Sequence, residues 1–297
     1  MKSIKKRLTA ACLCLFLLLL LICSCQNVPD SPEGSASDTS ASTSVPLPAV
    51  RVYTLNVGKA DCILIRTPKH LVVIDAGETD TEDQVLDCIK GTGTKTIDYL
   101  ILTHFDNDHI GGADKILKKM NVKQVLEPDY ERDSKRKEDL DRALDKAGIT
   151  PTKVHEQFSF TLDGAEFTVY PPIKTDYPES DERDNLMSLA ISVTYGDTSF
   201  LFAGDCMGER LSELTQQLPD RTVSFLKVPH HGNFDDYFSY AFLAKLRPAY
   251  AAITCSGTTR PDQALLKCLD NLDCRTFLTF SGIVTASSDG VSVTVTQ

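Results

Sequence analysis

The strongest chemical signal in the sequence is a six-residue loop in which four side chains can bind a metal ion: His104, Asp106, Asp108 and His109. The loop follows an apolar, strand-like run and precedes two glycines. Because the first two ligand side chains are separated by one residue and the last two are adjacent, a tight turn can direct the two pairs to opposite sides. We therefore predict that each pair holds one metal ion. The alternative is a polar loop whose carboxylates cap the next helix, but four ligand-type side chains in one loop argue against it.

Four further stretches set polar side chains beside apolar, strand-like runs: Leu55–Asp61, Val73–Gly77, Phe200–Asp205 and Leu226–Gly232. Together with the first loop, and in this order, they resemble the signature motifs of the metallo-β-lactamase superfamily. The loop itself is closer still to the His-x-Asp-x-Asp-His-x-Gly-Gly variant in the hydrolase domain of ComEC-type competence proteins. One such motif is a weak signal, but five in order are a strong one. The resemblance implies an α/β fold, the four-layer αββα metallo-β-lactamase sandwich, over residues 49–297.

The resemblance also implies roles for individual residues. Asp205 would bridge two metal ions, and Asp75 would hold a metal ligand in its orientation from behind. Asp108 and Asp75 are the predicted catalytic residues. Of the two adjacent histidines in the last motif, we predict that His230 binds metal, while His231 contacts substrate or orients a ligand.

Asn185 lies at a position where many superfamily members carry another histidine, and it either ligates weakly or bonds backbone in its loop. Asp106 also replaces a superfamily histidine, so the site is richer in oxygen than usual, which shifts its preference from zinc towards harder ions such as manganese. Two divalent cations, Zn²⁺ or Mn²⁺, are therefore the implied cofactors. Such a pair lowers the pKa of a water molecule between them and supplies an attacking hydroxide.

The predicted activity is phosphodiester hydrolysis, because an oxygen-rich two-metal site suits attack at phosphorus and because ComEC-type domains are regarded as nucleases. The substrate would be a small or polymeric phosphodiester, with DNA among the candidates. A cell-wall phosphodiester or phosphorylcholine esterase is a second hypothesis, and a catalytically inactive surface-binding module is a third. Asn56, Lys59 and Ala60 replace Asp, Gln and Gly of the ComEC-type motif, which leaves the substrate preference open. The sequence does not identify a protein partner.

The start of the chain resembles an export signal, since four basic residues precede a long apolar run. Ile22–Cys25 resembles a bacterial lipobox. We predict that residues 1–25 are a signal peptide and that Cys25 receives lipid, which would attach the chain to the membrane outside the cytoplasm. Plain secretion and an uncleaved anchor are the alternatives. Residues 26–48 are rich in Ser, Thr, Pro, Asp and Ala and are predicted to be a disordered tether.

The whole chain of 297 residues has a net charge of −10, and the predicted exported part is more acidic still. An acidic surface repels polyanions at long range, which counts against generic nucleic-acid coating. It does not exclude a nuclease, because metal ions carry their own positive charge. Export would permit disulfides among the six cysteines that follow the signal, but their apolar surroundings favour buried thiols. The charged segment Asp129–Lys146 is predicted to be a solvated surface helix rather than a binding site.

Overall fold

The computed structural model describes residues 49–178, 180 and 182–297. The predicted signal peptide (1–25), its lipidation site Cys25 and the predicted tether (26–48) lie outside these residues, so they stay predictions. Within the described part of the chain, no helix combines the length and the apolar character needed to cross a membrane. All six cysteines in this part are free thiols, and five of them are buried.

The described residues form fifteen strands and eight α-helices. The strands are β1 (Val50–Thr54), β2 (Ile63–Arg66), β3 (Leu71–Ile74), β4 (Thr96–Ile101), β5 (Asn121–Pro128), β6 (Thr152–Val154), β7 (Phe158–Leu162), β8 (Ala165–Tyr170), β9 (Ala190–Tyr195), β10 (Thr198–Phe202), β11 (Phe225–Lys227), β12 (Tyr250–Ile253), β13 (Arg275–Leu278), β14 (Val284–Ser288) and β15 (Val293–Thr296). The helices are α1 (Glu82–Gly91), α2 (Asn107–Ile110), α3 (Ala113–Lys119), α4 (Lys135–Ala147), α5 (Arg183–Leu186), α6 (Gly208–Gln217), α7 (Asp236–Leu246) and α8 (Gln263–Asn271).

The strands pair into two mixed sheets. The first has the order β15-β14-β1-β2-β3-β4-β5-β6, and its strands from β3 to β6 run parallel. The second has the order β13-β12-β11-β10-β9-β8-β7, and its strands from β10 to β13 run parallel. Parallel strands end at the same edge of their sheet, so the side chains that follow neighbouring strands lie close together.

Strand β3 illustrates how the layers are joined. All four of its residues are buried, and successive side chains of a strand point to opposite faces. Leu71 and Val73 belong to the core between the first sheet and helices α1, α3 and α4, whereas Val72 and Ile74 belong to the core between the two sheets. A third core lies between the second sheet and helices α6, α7 and α8. The order is thus helix, sheet, sheet, helix, and the predicted αββα sandwich is confirmed.

Gly112 lies between α2 and α3, where a Cβ atom would be 2.5 Å from the carbonyl oxygen of Ala76. We expect Gly112→Ala to lower the free energy of unfolding by about 2–3 kcal/mol, because the new methyl group forces two backbone segments apart. Gly91→Ala is the matched control, since the space around Gly91 at the end of α1 is open. Its effect should stay below about 1 kcal/mol. Denaturant unfolding checks both variants, and equal effects would contradict the close packing at Gly112.

Candidate metal centre

The predicted ligands lie where parallel strands of both sheets end. The six-residue loop follows β4, Asp75 follows β3 and Asp205 follows β10. The adjacent histidines follow β11, and Thr254 follows β12. A backbone bond joins the loops after β10 and β11, because the N–H of His230 donates to the carbonyl of Gly204 at 3.1 Å. Residues far apart in sequence therefore share one edge of the molecule.

Four side chains form one compact group: Asp108, His109, Asp205 and His231. The ligand atoms of this group all lie within 4.8 Å of one another. Oδ2 of Asp205 lies 3.3 Å from Nε2 of His109 and 3.1 Å from Nε2 of His231. The same nitrogen of His231 lies 3.3 Å from Oδ2 of Asp108. Two imidazole nitrogens and two carboxylates converging on one point are a donor set suited to a divalent cation.

His104 and Asp106 form a neighbouring pair outside this group. The buried ring of His104 lies 4.0 Å from that of His109, measured between centroids, and its Nε2 is 3.6 Å from Oδ2 of Asp106. Asn185 is buried in α5, and its Oδ1 accepts no hydrogen bond within the described part of the chain. The pair lies beside the compact group, and its role in holding a first metal ion stays a prediction, as does the role of Asn185.

The two adjacent histidines point in different directions. Both have left-handed backbone conformations, with φ angles of 48° and 53°, which are rare for residues other than glycine and occur at functional sites. His231 enters the compact group with its ring 1% exposed, whereas the ring of His230 is 16% exposed and its Nε2 lies 4.0 Å from Asp205. This geometry corrects the preference for His230 as the metal ligand, because His231 is the histidine that converges with the others.

Asp75 sets the hydrogen positions on two of the imidazoles. Its Oδ2 lies 2.8 Å from Nδ1 of His109 and accepts the hydroxyl hydrogen of Thr103 at 2.8 Å. A carboxylate only accepts, so Nδ1 of His109 carries the hydrogen. The Thr103 hydroxyl donates its only hydrogen to Asp75. Its oxygen therefore accepts a hydrogen bond from Nδ1 of His104, 3.0 Å away. Both rings therefore keep the Nε2 lone pair for the site, as the predicted orienting role of Asp75 requires.

His231 is oriented by two residues to which sequence reasoning assigned no role. The hydroxyl of Thr254 donates to Oδ1 of Asp61 at 2.7 Å, so its oxygen accepts from Nδ1 of His231, 2.9 Å away. His231 is thus held with its Nε2 lone pair towards the group. Asp61 ends the first matched motif, which was a signal for its importance, whereas nothing in the sequence marks Thr254.

Lys227 is another functional residue that the sequence did not single out, although it lies within the last motif. It is fully buried. Its ammonium forms a close ion pair with Asp61, lies 3.8 Å from Oδ1 of Asp205 and donates to the carbonyl of Gly204 at 3.3 Å. A buried cation is stable only where such partners offset the loss of hydration. Lys227 therefore fastens the loops after β1 and β10 to the end of β11.

Arg132 reaches the centre from the segment predicted to be only a solvated helix. It precedes α4, and its Nε lies 3.1 Å from Oδ2 of Asp184, while its Nη2 lies 3.8 Å from Oδ1 of Asp106. Burial, followed by the charge of Asp106, raises the pKa of Asp184 to about 6. The prediction that this segment stays away from any site therefore needs correction at Arg132.

The centre carries a surplus of negative charge and of buried acceptors. Its carboxylates are Asp61, Asp75, Asp106, Asp108, Asp184 and Asp205, and the cations that contact them within the described residues are Lys227 and Arg132 besides the histidines. Nε2 of His104, His109 and His231 and Oδ1 of Asp205 are all buried without a hydrogen-bond partner. Two divalent cations would balance the four remaining negative charges.

The proton affinity of His109 reflects the same surplus. Burial opposes its charged form, but the charges of Asp205 and Asp75 outweigh burial and raise the pKa of His109 well above its ordinary value. The contact between its Nε2 and Asp205 joins two acceptors and needs a cation, either a second proton on the ring or a metal ion. The Nε2 atoms of His104, His109 and His231 all face carboxylate oxygens in this way, so each needs a cation. The residues therefore fit the predicted pair of metal ions.

We expect Lys227→Met to destabilise the metal-free protein by about 3–5 kcal/mol, because it leaves the buried carboxylate of Asp61 without its counter-ion. Lys123→Met is the matched control, since Lys123 pairs with Asp98 while 56% of its side chain is exposed. The control should cost less than about 1 kcal/mol. Thermal unfolding in chelator measures both, and a Lys227 variant as stable as the control would contradict the fastening role.

The fold and the donor set define a class of protein. A family model with the description "Metallo-beta-lactamase superfamily" matches residues 55–254, which are more than half of the sequence. The chain therefore belongs to the metallo-β-lactamase superfamily, whose members are metal-dependent hydrolases.

Two of the similar curated proteins are of the ComEC type, which confirms the resemblance seen in the motifs. The chain is 26% identical over 249 residues to ComE operon protein 3 of Bacillus subtilis, covering 77% of this chain and 31% of that protein. It is 29% identical over 222 residues to Recombination protein 2 of Haemophilus influenzae, covering 72% of this chain and 25% of that protein. The chain thus spans about a third of the length of the first relative and a quarter of the length of the second.

Solved structures share the fold at low sequence identity. The metallo-β-lactamase-fold protein YhfI from Bacillus subtilis aligns with a TM-score of 0.53 and 14% identity, over 78% of this chain and 98% of that one. A diphosphatase of the PhnP family aligns with a TM-score of 0.50 and 14% identity, over 82% and 98%. Both structural similarities show a shared fold.

Proposed function

We propose that this chain is a two-metal phosphodiesterase that acts outside the cytoplasm. The observation that carries the proposal is the convergence of imidazole nitrogens on carboxylate oxygens, 3.1–3.3 Å apart, at one buried point. Acceptors placed so close to one another call for cations, and six carboxylates make the surroundings rich in oxygen. Hard divalent ions prefer such surroundings, and they suit substrates whose reacting group is a phosphate.

Two sets of residues would hold the cations. Asp108, His109 and His231 would hold one, and His104 and Asp106 the other, with Asn185 as a further oxygen ligand. Asp205 would be shared by both. When bound, two divalent ions lower the pKa of a water molecule between them and neutralise charge on a phosphate. Mn²⁺ and Zn²⁺ are both proposed, and the oxygen-rich pair favours Mn²⁺.

The remaining residues of the centre keep the ligands ready to bind. Asp75 and Asp61 hold hydrogens on the Nδ1 atoms, directly or through threonine hydroxyls, so the Nε2 atoms need no rearrangement. Lys227 is fully buried and contacts Asp61 and Asp205 on the side of the ligands that faces the protein interior. His230 lies outside the compact group and is partly exposed, so we propose that it contacts the substrate phosphate.

The substrate class is supported by the oxygen-rich centre and by the resemblance to ComEC-type proteins. A nucleic acid and a cell-wall phosphodiester both present the required bond, and a phosphorylcholine ester is a third substrate to be tested. The predicted signal peptide (1–25) and the lipid at Cys25 support a place at the outer face of a bacterial membrane.

The test is a substrate panel with the purified full-length protein reconstituted with Mn²⁺ or Zn²⁺. We expect cleavage of bis-p-nitrophenyl phosphate and of single-stranded DNA or a glycerol-phosphate polymer, and no cleavage of nitrocefin. Asp108→Ala should lower turnover at least about a hundredfold and reduce the metal content. Cleavage of nitrocefin alone would overturn the phosphodiester proposal. A fully loaded protein that cleaves none of these compounds would instead support a binding module.

A further inference from the structure

A polar groove of about 550 Å³ lies beside the metal centre and takes no part in the ligand arrangement described above. Its lining includes two carboxylates, three hydroxyl side chains, two amides and one ammonium, and the residues used below are Asn56, Lys59, Glu78, Asp80, Ser256 and Thr259. A space of this size matches small-molecule sites, which occupy roughly 300–1,000 Å³. Its polar lining fits a hydroxylated or charged ligand better than an apolar one.

Three walls of the groove are attached to residues of the metal centre. Lys59 precedes Asp61 by two residues, and Ser256 follows Thr254 by two. Glu78 accepts a hydrogen bond at 3.0 Å from the side-chain amide of the asparagine between the two loop aspartates. A substrate bound at the metal centre therefore extends into the groove if it is larger than its reacting group.

Lys59 is the lysine of the groove, and it makes no hydrogen bond or ion pair within the part of the chain that the structure describes. It is half-buried. ComEC-type motifs resemble this stretch but have glutamine at this position, so a positive charge here is a feature of this chain.

We propose that the groove binds the part of the substrate beyond the scissile bond, and that Lys59 pairs there with a second phosphate of the same molecule. This inference rests on the proposed phosphodiesterase function and names its substrate class, a phosphodiester of polyols that carries a neighbouring phosphate. Two bound divalent ions balance the charge of the centre, so the second phosphate finds its positive partner in Lys59. Glu78 and Asp80 accept hydrogen bonds from polyol hydroxyls, as a sugar or glycerol unit supplies.

The experiment compares substrates that share one scissile bond and differ by one phosphate. The first pair is a thymidine dinucleotide with and without a terminal phosphate, tested as both the 5′ and the 3′ phosphorylated forms. The second pair is glycerophosphoglycerol with and without a terminal phosphate. We expect the metal-loaded protein to prefer one phosphorylated form by about tenfold in kcat/KM, the scale of one charge-assisted contact. The pair with the larger preference distinguishes a nucleic-acid source from a glycerol-phosphate source.

Lys59→Gln restores the residue of the resembling motif and removes only the charge. We expect it to reduce the preference to within about twofold, with metal content retained. Lys69→Gln, in the exposed turn between β2 and β3 at the opposite end of the sheet, is the control and should keep the preference. A Lys59 variant that keeps the preference, or that lowers kcat/KM equally for both members of a pair, would overturn the inference.

Binding separates this inference from the proposed function. Calorimetric titration of the phosphorylated dinucleotide and of phosphorylated glycerophosphoglycerol into the metal-loaded protein measures affinity with or without turnover. If the wild-type chain binds but cleaves neither, and Lys59→Gln weakens binding about tenfold, the groove assignment stands while the phosphodiesterase proposal fails. If the variant binds as the wild type does, or if neither ligand binds, the groove assignment fails.

Discussion

Replacing Asp205 with asparagine is expected to abolish hydrolysis while leaving the fold intact. Its Oδ2 lies within 3.3 Å of the Nε2 atoms of both His109 and His231, and its Oδ1 faces Lys227, so it is the carboxylate shared by the largest number of site residues. An amide keeps the size of the side chain but removes the charge that attracts a divalent ion. We expect turnover to fall at least about a thousandfold, corresponding to about 4 kcal/mol of lost transition-state stabilisation.

Metal binding provides a readout for Asp205→Asn that does not depend on activity. The wild-type chain should gain thermal stability when Mn²⁺ or Zn²⁺ is added, because ligands that bind only the folded state stabilise it. The variant should gain much less and should retain fewer ions after gel filtration. Asp87→Asn, on the exposed face of α1, keeps the same change of charge away from the centre and should behave as the wild type. An Asp205 variant that binds two ions and turns over normally would contradict the shared-ligand assignment.

Much of this architecture could be predicted, because the relevant information is local. The apolar run before the six-residue loop forms β4 as its pattern indicates, and the loop holds four ligand-type side chains within a short stretch of chain. Motifs in the expected order then imply which strand ends meet. The ligand spacing is thus local information, whereas the αββα sandwich and the meeting of the strand ends were predicted from the family resemblance that the ordered motifs carry.

The supporting contacts could not be predicted in the same way. Thr254 and Asp61 are 193 positions apart and meet only because β12 and the loop after β1 end at the same edge of the molecule. A threonine after an apolar strand is indistinguishable from a core hydroxyl until its partner is known. The role of Lys227 is equally non-local, since a buried ammonium is stable only among carboxylates contributed by other strands. Arg132 was hidden by the charged segment around it, in which most side chains are solvated.

Replacing His230 and His231 with alanine, one at a time, is expected to separate metal binding from substrate contact. They are adjacent in the same motif, and only the structure shows that the ring of His231 turns inward while that of His230 is partly exposed. His231→Ala removes the nitrogen that lies within 3.3 Å of both Asp108 and Asp205, so metal content should fall by one ion per chain and turnover by about a thousandfold. His230→Ala should retain both ions.

The alanine variant of His230 should still lose about ten- to a hundredfold in turnover on phosphodiesters, because a partly exposed imidazole that contacts substrate contributes on that scale. Elemental analysis and kinetics of the two variants, measured on the same preparations, decide the matter. Loss of an ion from the His230 variant with full loading of the His231 variant would reverse the assignment and restore the preference from the sequence. Equal loss from both would mean that the left-handed turn itself, rather than either ring, holds the centre together. The expected split instead makes the direction of one ring, which Thr254 and Asp61 hold towards the compact group, the feature that distinguishes a metal ligand from a substrate contact in this chain.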